Sequence, residues 1–150
     1  MKVIRKILYA TDFSESSAPA SEYAQTLAKL AGADIHVLHV IGELADSRRS
    51  RIPPEAFEIF EKEIEVQVVK EMEDFCRRHL GEEIAYTTET AIGNPFQVIL
   101  SAAAAQKADL IIMGTHGRTG IEHVLMGSTA ERVVRKSPIP VLTVRCPRQQ

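Results

Sequence analysis

The sequence predicts an α/β protein: a doubly wound parallel sheet with helices on both faces. Three observations predict it. Strand-like apolar segments alternate with helix-period segments in the order βαβαβαβαβ. The Asp34–Ile41 segment is almost continuously apolar, as suits a strand buried on both faces. The fourth strand segment, Leu110 to Met113, runs into Gly114-Thr115-His116-Gly117, and nine residues later Gly127-Ser128-Thr129 opens a helix. Strands separated by helices need crossover connections, which are right-handed in nearly all cases and lay helices over the sheet.

Each element has its own signal. Ile4 to Ala10 is short, apolar and rich in strand formers, and it stops at Thr11-Asp12. Ser14 to Ala31 has helical spacing, with Ala24, Leu27, Ala28 and Ala31 in one stripe and Gly32 where a helix ends. These small side chains predict close packing of helix on sheet. Asp34 to Ile41 is the second strand. Gly42 to Pro54 breaks the pattern and, with Arg48, Arg49, Arg51 and Pro53-Pro54, reads as a surface loop. Phe57, Phe60, Ile64, Val68, Met72 and Phe75 recur at threes and fours, which predicts the longest helix, from Pro54 to Leu80, packed on the core.

Ile84 to Ala91 alternates and is rich in threonine, which places it near a sheet edge. Gly93-Asn94-Pro95 is a helix start, with Asn94 as cap and Pro95 at the first helical position. Alanine-rich helix continues from Phe96 to Lys107. After the helix that ends at Lys136, Pro138 to Val144 is a final strand whose prolines suit an edge. No repeat or linker divides the chain, so one domain is expected over residues 1–150.

Composition narrows the function. A chain of 150 residues buries about 68–70% of its unfolded surface, enough for a core without staples. The net charge of −2 argues against a general nucleic-acid binder. The two cysteines, Cys76 and Cys146, are far apart and form no CxxC pair, so a reducing compartment is expected. The N-terminus lacks the apolar core of a signal peptide, and no apolar run reaches the roughly 18 residues of a membrane span. The expectation is a cytoplasmic protein with no membrane association.

In open parallel sheets, ligands bind beyond the C-terminal strand ends, where strand order reverses. Ala10-Thr11-Asp12, the Ala91–Pro95 segment and Met113 to Gly117 all fall at such ends, and Val40 and Ile41 add an apolar wall. Gly114 and Gly117 let the chain turn tightly and a ligand approach the backbone. Gly127, Ser128 and Thr129 open a helix whose first N–H groups lack intrahelical partners and carry the positive end of the dipole, an anion site in outline. Three or four charge-assisted hydrogen bonds at roughly 1.5–3 kcal/mol each reach the ~8 kcal/mol of micromolar phosphate binding before ordering costs. Asp12 would repel a polyphosphate unless a divalent cation lies between them, or it would bind a ribose hydroxyl.

Plainer readings stand beside these. Ser128-x-x-Glu131 is a capping-box pattern. Thr11, Asp12 and Ser14 suit a helix cap. Walker-type, dinucleotide and nucleophile-elbow glycine motifs are absent. His36 and His39 lie three apart on a strand, on opposite faces, and are poor metal partners. His116 and His123 have no ligand-type neighbours in sequence, although His116 is placed to touch a bound molecule.

The whole chain resembles the universal stress protein (UspA-like) family. Gly114-x-x-Gly117, nine residues, Gly127-Ser128 matches that family's ATP-binding signature without a gap. The Ile7–Ser14 segment resembles its first strand and acidic residue, Gly93-Asn94-Pro95 its Gly-x-Pro turn, and Met113–Arg118 with Pro138–Val144 its terminal block. The resemblance implies strand order 3-2-1-4-5. It implies an ATP-type site in which Ala10, Thr11, Asp12 and Val40 border adenine and ribose. Met113, Gly114, Gly117, Gly127, Ser128 and Thr129 would hold ribose and phosphates, with magnesium or manganese in some members. It also implies a homodimer formed partly by pairing of the last strands.

The resulting expectation is an ATP-binding stress-response regulator that at most hydrolyses ATP slowly, since no base or water-positioning residue is evident apart from Asp12 or His116. The alternatives are a ligand-free dimeric interaction protein, disfavoured by the intact glycine motif, and an adenylyl-transferring enzyme, disfavoured because Thr11-Asp12-Phe13-Ser14 is not a Ser-Gly-Gly-x-Asp loop.

Overall fold

A computed structural model of the chain describes residues 1–42, 51–116 and 126–147. The elements are β1 (Lys6–Ala10), α1 (Pro19–Ala31), β2 (Asp34–Ile41), α2 (Pro54–His79), β3 (Tyr86–Ile92), α3 (Pro95–Ala105), β4 (Leu110–Gly114), α4 (Ser128–Lys136) and β5 (Val141–Val144). Among the described residues the five strands form one parallel sheet, ordered β3-β2-β1-β4-β5, as expected. Strand order reverses at β1, which pairs with β2 on one side and β4 on the other. Ala10 is level with Leu38 and with Met113, so three strand ends meet at one crevice.

The pleat sends alternate residues into two cores. On one face Ile7, Tyr9, Ile35, Val37 and Ile112 meet Ala20, Ala24 and Ala28 of α1 and Met72, Phe75 and Cys76 of α2. On the other, Leu8, Ala10, Leu38, Ile111 and Met113 meet Ile99, Ala102 and Ala103 of α3 and Ala130 and Val133 of α4. The alanines let the helix axes lie close to the sheet. Gly32 closes α1 in the left-handed region, φ 65°, its N–H donating to Ala28 O.

Several boundaries shift for local reasons. β1 starts at Lys6 rather than Ile4, because the Arg5 and Lys6 amides donate to the Asp109 carboxylate (2.8 and 3.1 Å). α1 starts at Pro19, because Ser14 to Ala18 form turns tied to Asp12. β3 starts at Tyr86, with Ile84 turned into the core before it. β5 starts at Val141, after a turn in which the Ser137 hydroxyl donates to Ile139 O. Ala31 is exposed rather than part of the buried stripe.

The larger correction concerns α2. Its apolar periodicity gives a helix, but only Met72, Phe75 and Cys76 are buried. Phe57, Ile64 and Val68 are half-buried, and Phe60 is 44% exposed, so the N-terminal half extends past the sheet instead of packing on it.

Candidate functional site

The site starts from the turn after β1. Thr11 N–H donates to Leu38 O (3.0 Å), which continues the ladder one residue beyond the strand. Thr11 Oγ1 accepts from Phe13 N–H (3.1 Å) and shares a hydrogen bond with Ser17 Oγ (3.0 Å). Asp12 Oδ1 accepts from Ser14 N–H (3.0 Å) and Ser14 Oγ–H (2.5 Å), an Asx-type turn. Phe13 holds φ 65°, an unusual conformation for an aromatic residue. Its ring stacks on His39 at 4.1 Å, and His39 Nδ1 bonds Thr11 O (2.9 Å). The turn is therefore fixed on both sides of Asp12. The cap-like reading of Thr11 and Asp12 is half right: they organise the approach to α1, but no side chain caps that helix.

Opposite this turn, β4 ends at Gly114 and α4 begins. Thr115 joins them. Its N–H donates to Val144 O (3.0 Å), and its carbonyl accepts from Gly127 N–H (2.6 Å). Gly127 is the N-cap of α4 and Ser128 its first helical residue, with no side-chain cap. The expected capping box thus does not form, and Glu131 pairs with Arg135 one turn on. One expectation is corrected: the Gly127 amide is taken by Thr115. The amides of Ser128, Thr129 and Ala130 are the ones that the helix start leaves without intrahelical acceptors.

The glycines also have a second purpose. A Cβ on Gly114 would lie 3.2 Å from Ser17 Cα, and one on Gly127 would lie 3.1 Å from Thr115 O. Both contacts are tight, so close backbone packing favours glycine here before any ligand is considered.

These parts enclose a cavity of about 490 Å³. Of the residues singled out in the sequence, Ala10, Thr11, Asp12, Val40, Met113, Gly114, Gly127, Ser128 and Thr129 all line it. Gly117 lies outside the described residues, as do Arg48, Arg49, Arg118 and His123. Arg51 is exposed. His116 lines the cavity, its Nδ1 3.0 Å from Thr115 Oγ1. Sequence reasoning missed Ser17, Leu38, Gly42, Ile99 and Ala130 on the wall, while Thr115 lies in the Met113–Gly117 segment it singled out. Strand parity points to Leu38, two residues before Val40, but nothing local marks Ser17 or Ile99. Asn94 caps α3 through its backbone only, and Pro95 reaches the cavity.

His36 and His39 do lie on opposite faces. His36 is buried and bonds Thr87 Oγ1 and Glu89 Oε2, each at 2.7 Å. Among the described residues no group of three His, Cys, Asp or Glu side chains could hold a metal ion. No described helix is long and apolar enough to cross a membrane.

Comparison with known proteins agrees with this architecture. Residues 4–145 match the Universal stress protein family. Universal stress protein MJ0577 of Methanocaldococcus jannaschii is 32% identical, over 94% of this chain and 94% of that protein. Its solved structure superposes with a TM-score of 0.79 at 31% identity, covering 99% of this chain and 100% of that one. Universal stress protein MJ0531 of the same organism is 32% identical over 97% of this chain and 85% of its own length. A universal stress protein solved in complex with cAMP shares the fold (TM-score 0.65, 22% identity, 96% of this chain and 98% of that one). A matching family pattern over nearly the whole chain and relatives at this identity place the protein: it belongs to the universal stress protein family.

Proposed function

We propose that the protein is a single nucleotide-binding domain that binds ATP or another adenine nucleotide in the 490 Å³ cavity. The carrying observation is that the first residues of α4 and Asp12 line one space together with apolar side chains. A helix N-terminus favours phosphate, and a carboxylate accepts from hydroxyl or amino groups. Leu38, Val40, Ile99 and Met113 supply surface for a base. A ligand that is anionic at one end, polar in the middle and flat and apolar at the other fits this sequence of walls. The volume lies within the range of small-molecule sites, about 300–1,000 Å³. The relative solved with cAMP supports an adenine ligand for this fold.

In this reading Ala10, Thr11, Asp12 and Val40 border adenine and ribose. Met113, Gly114, Gly117, Ser128 and Thr129 hold ribose and phosphates, and Gly127, its amide taken by Thr115 O, borders them through its bare Cα. Magnesium or manganese fits as a phosphate-held ion with Asp12 as a carboxylate ligand, because Asp12 is the one acid among the described residues of the cavity wall. That is the usual mode for magnesium, which keeps most of its water.

The protein then acts as a stress-response regulator in the cytoplasm rather than as a metabolic enzyme. It works as a homodimer through the β5 edge, where Val141 to Val144 offers backbone groups that pair with no other described strand. Thr115, bonded to both β5 and Gly127, links that edge to the phosphate end of the cavity. The test is to denature protein purified without added nucleotide and to analyse the supernatant by ion-pair chromatography. Adenine nucleotide near one equivalent supports the reading. Nucleotide-free protein that also fails to take up ATP on incubation refutes it.

A further inference from the structure

Among the described residues the sheet has a second open edge. β3 is seven residues long, and its outer side pairs with no other described element. The polarity of that side follows from two hydrogen bonds. Ile35 N–H donates to Ala85 O (3.2 Å), and Gly93 N–H donates to Ile41 O (3.0 Å). Backbone groups alternate sides along a strand, so Thr87, Glu89 and Ala91 face β2 with theirs. Tyr86, Thr88, Thr90 and Ile92 turn N–H and C=O outward.

Edge strands are normally blunted by shortness, proline, lysine or a bulge. β3 has no proline, lysine or bulge, and its one charged side chain is Glu89. It is threonine-rich, Thr87 and Thr88 are exposed, and Tyr86 and Ile92 are 36% and 41% exposed. Its charge is one-sided. From His79 to Gln106 the chain contains no Lys or Arg, whereas Glu82, Glu83 and Glu89 all lie there. Lys29 answers Glu83 (2.6 Å). Glu89 is held at the edge by buried His36 while its side chain stays 40% exposed. Two copies paired along β3 would bring these acids together with no cation from this stretch to offset them. A basic strand would meet complementary charge.

We propose that the open edge of β3 is a docking surface for an extended peptide segment in which β-branched residues alternate with Lys or Arg. The peptide adds as a sixth strand through the outward groups of Tyr86, Thr88, Thr90 and Ile92, with a cation over Glu89. This surface is independent of the nucleotide cavity.

The probe is a blocked Lys-Val-Lys-Val-Lys-Val-Lys peptide, titrated into the full chain at low salt while backbone amide NMR shifts are followed. The Glu-Val analogue is the control. The expected result is saturable shifts centred on Tyr86, Thr88, Thr90 and Ile92, with the Glu-Val peptide about ten-fold weaker from cross-strand charge pairs. Thr88→Pro removes an outward N–H and no ladder bond, so it should lose at least about ten-fold in affinity with an unchanged melting temperature. Should that variant fail to fold, Glu89→Lys decides: the preference should swing toward the Glu-Val peptide. No binding to the wild type, shifts centred elsewhere, equal binding of both peptides, or an unchanged preference in Glu89→Lys each overturns the proposal. So does concentration-dependent self-association that moves the same amides.

Discussion

Gly127→Ala puts the central geometry under the most direct strain. The added Cβ would stand 3.1 Å from Thr115 O and 3.7 Å from His116 Cα. Thr115 cannot give way easily, because its N–H is bonded to Val144 O and its carbonyl to Gly127 N–H at 2.6 Å. α4 must therefore back away by a few tenths of an ångström. Overpacking of this kind costs about 1–3 kcal/mol, and at this chain length each 1 kcal/mol lowers the melting temperature by about 2–4 °C. The same movement withdraws the Ser128–Ala130 amides from the ligand. Loss of one charge-assisted hydrogen bond, at roughly 1.5–3 kcal/mol, weakens binding about ten- to a hundred-fold. Gly42→Ala is the matched control: Gly42 also lines the cavity, but a Cβ there meets nothing within 4 Å among the described residues. Thermal unfolding and ATP calorimetry on both variants test the reasoning. Wild-type affinity in Gly127→Ala, or an equal loss in Gly42→Ala, would refute it.

Three other outcomes follow from the same coordinates. Ser128→Ala should leave the melting temperature unchanged, since Ser128 is not the cap of α4, yet weaken ATP binding measurably; a stability loss without an affinity loss would restore the capping-box reading. With iodoacetamide at pH 8, native protein should be labelled at exposed Cys146 and spared at Cys76, whose thiol burial pushes up to about 11; mass spectrometry should find both labelled after unfolding. The Arg5 and Lys6 amides hold the Asp109 carboxyl below the usual carboxylate range. Its stabilising contribution is thus fully present above the unfolded-state value and is lost as pH falls through the lower folded value, so Asp109→Asn should flatten the acid limb of a denaturation series below the ordinary carboxylate range.

Much of the fold is legible because its signals are local. Asp34 to Ile41 gives its strand limits residue for residue, since Asp34 begins and Gly42 ends a run apolar enough for burial on both faces. Pro95 sets the start of α3. Strand order is not local: periodicity alone leaves β4 free to join either edge, and only the family resemblance put it beside β1. α2 shows the limit of periodicity in another way. A stripe at threes and fours states that a helix is amphipathic, not that a sheet lies under all of it, and the sheet ends before Phe60. At the site, Asp12 and Ser128 stand out as polar residues at element ends. Ser17 and Ile99 do not, because they reach the cavity from inside α1's entry turn and α3 through tertiary packing. The fate of the Gly127 amide was likewise hidden, since its acceptor, Thr115 O, is remote in sequence.

Isothermal titration of ATP into nucleotide-free wild-type protein tests the central reading most directly. One polyanion-and-base pocket per chain predicts saturable heat at one ATP per chain with micromolar affinity, lost on high salt less than a surface phosphate contact would be. A flat titration up to millimolar ATP, with ADP and AMP equally silent, would contradict it.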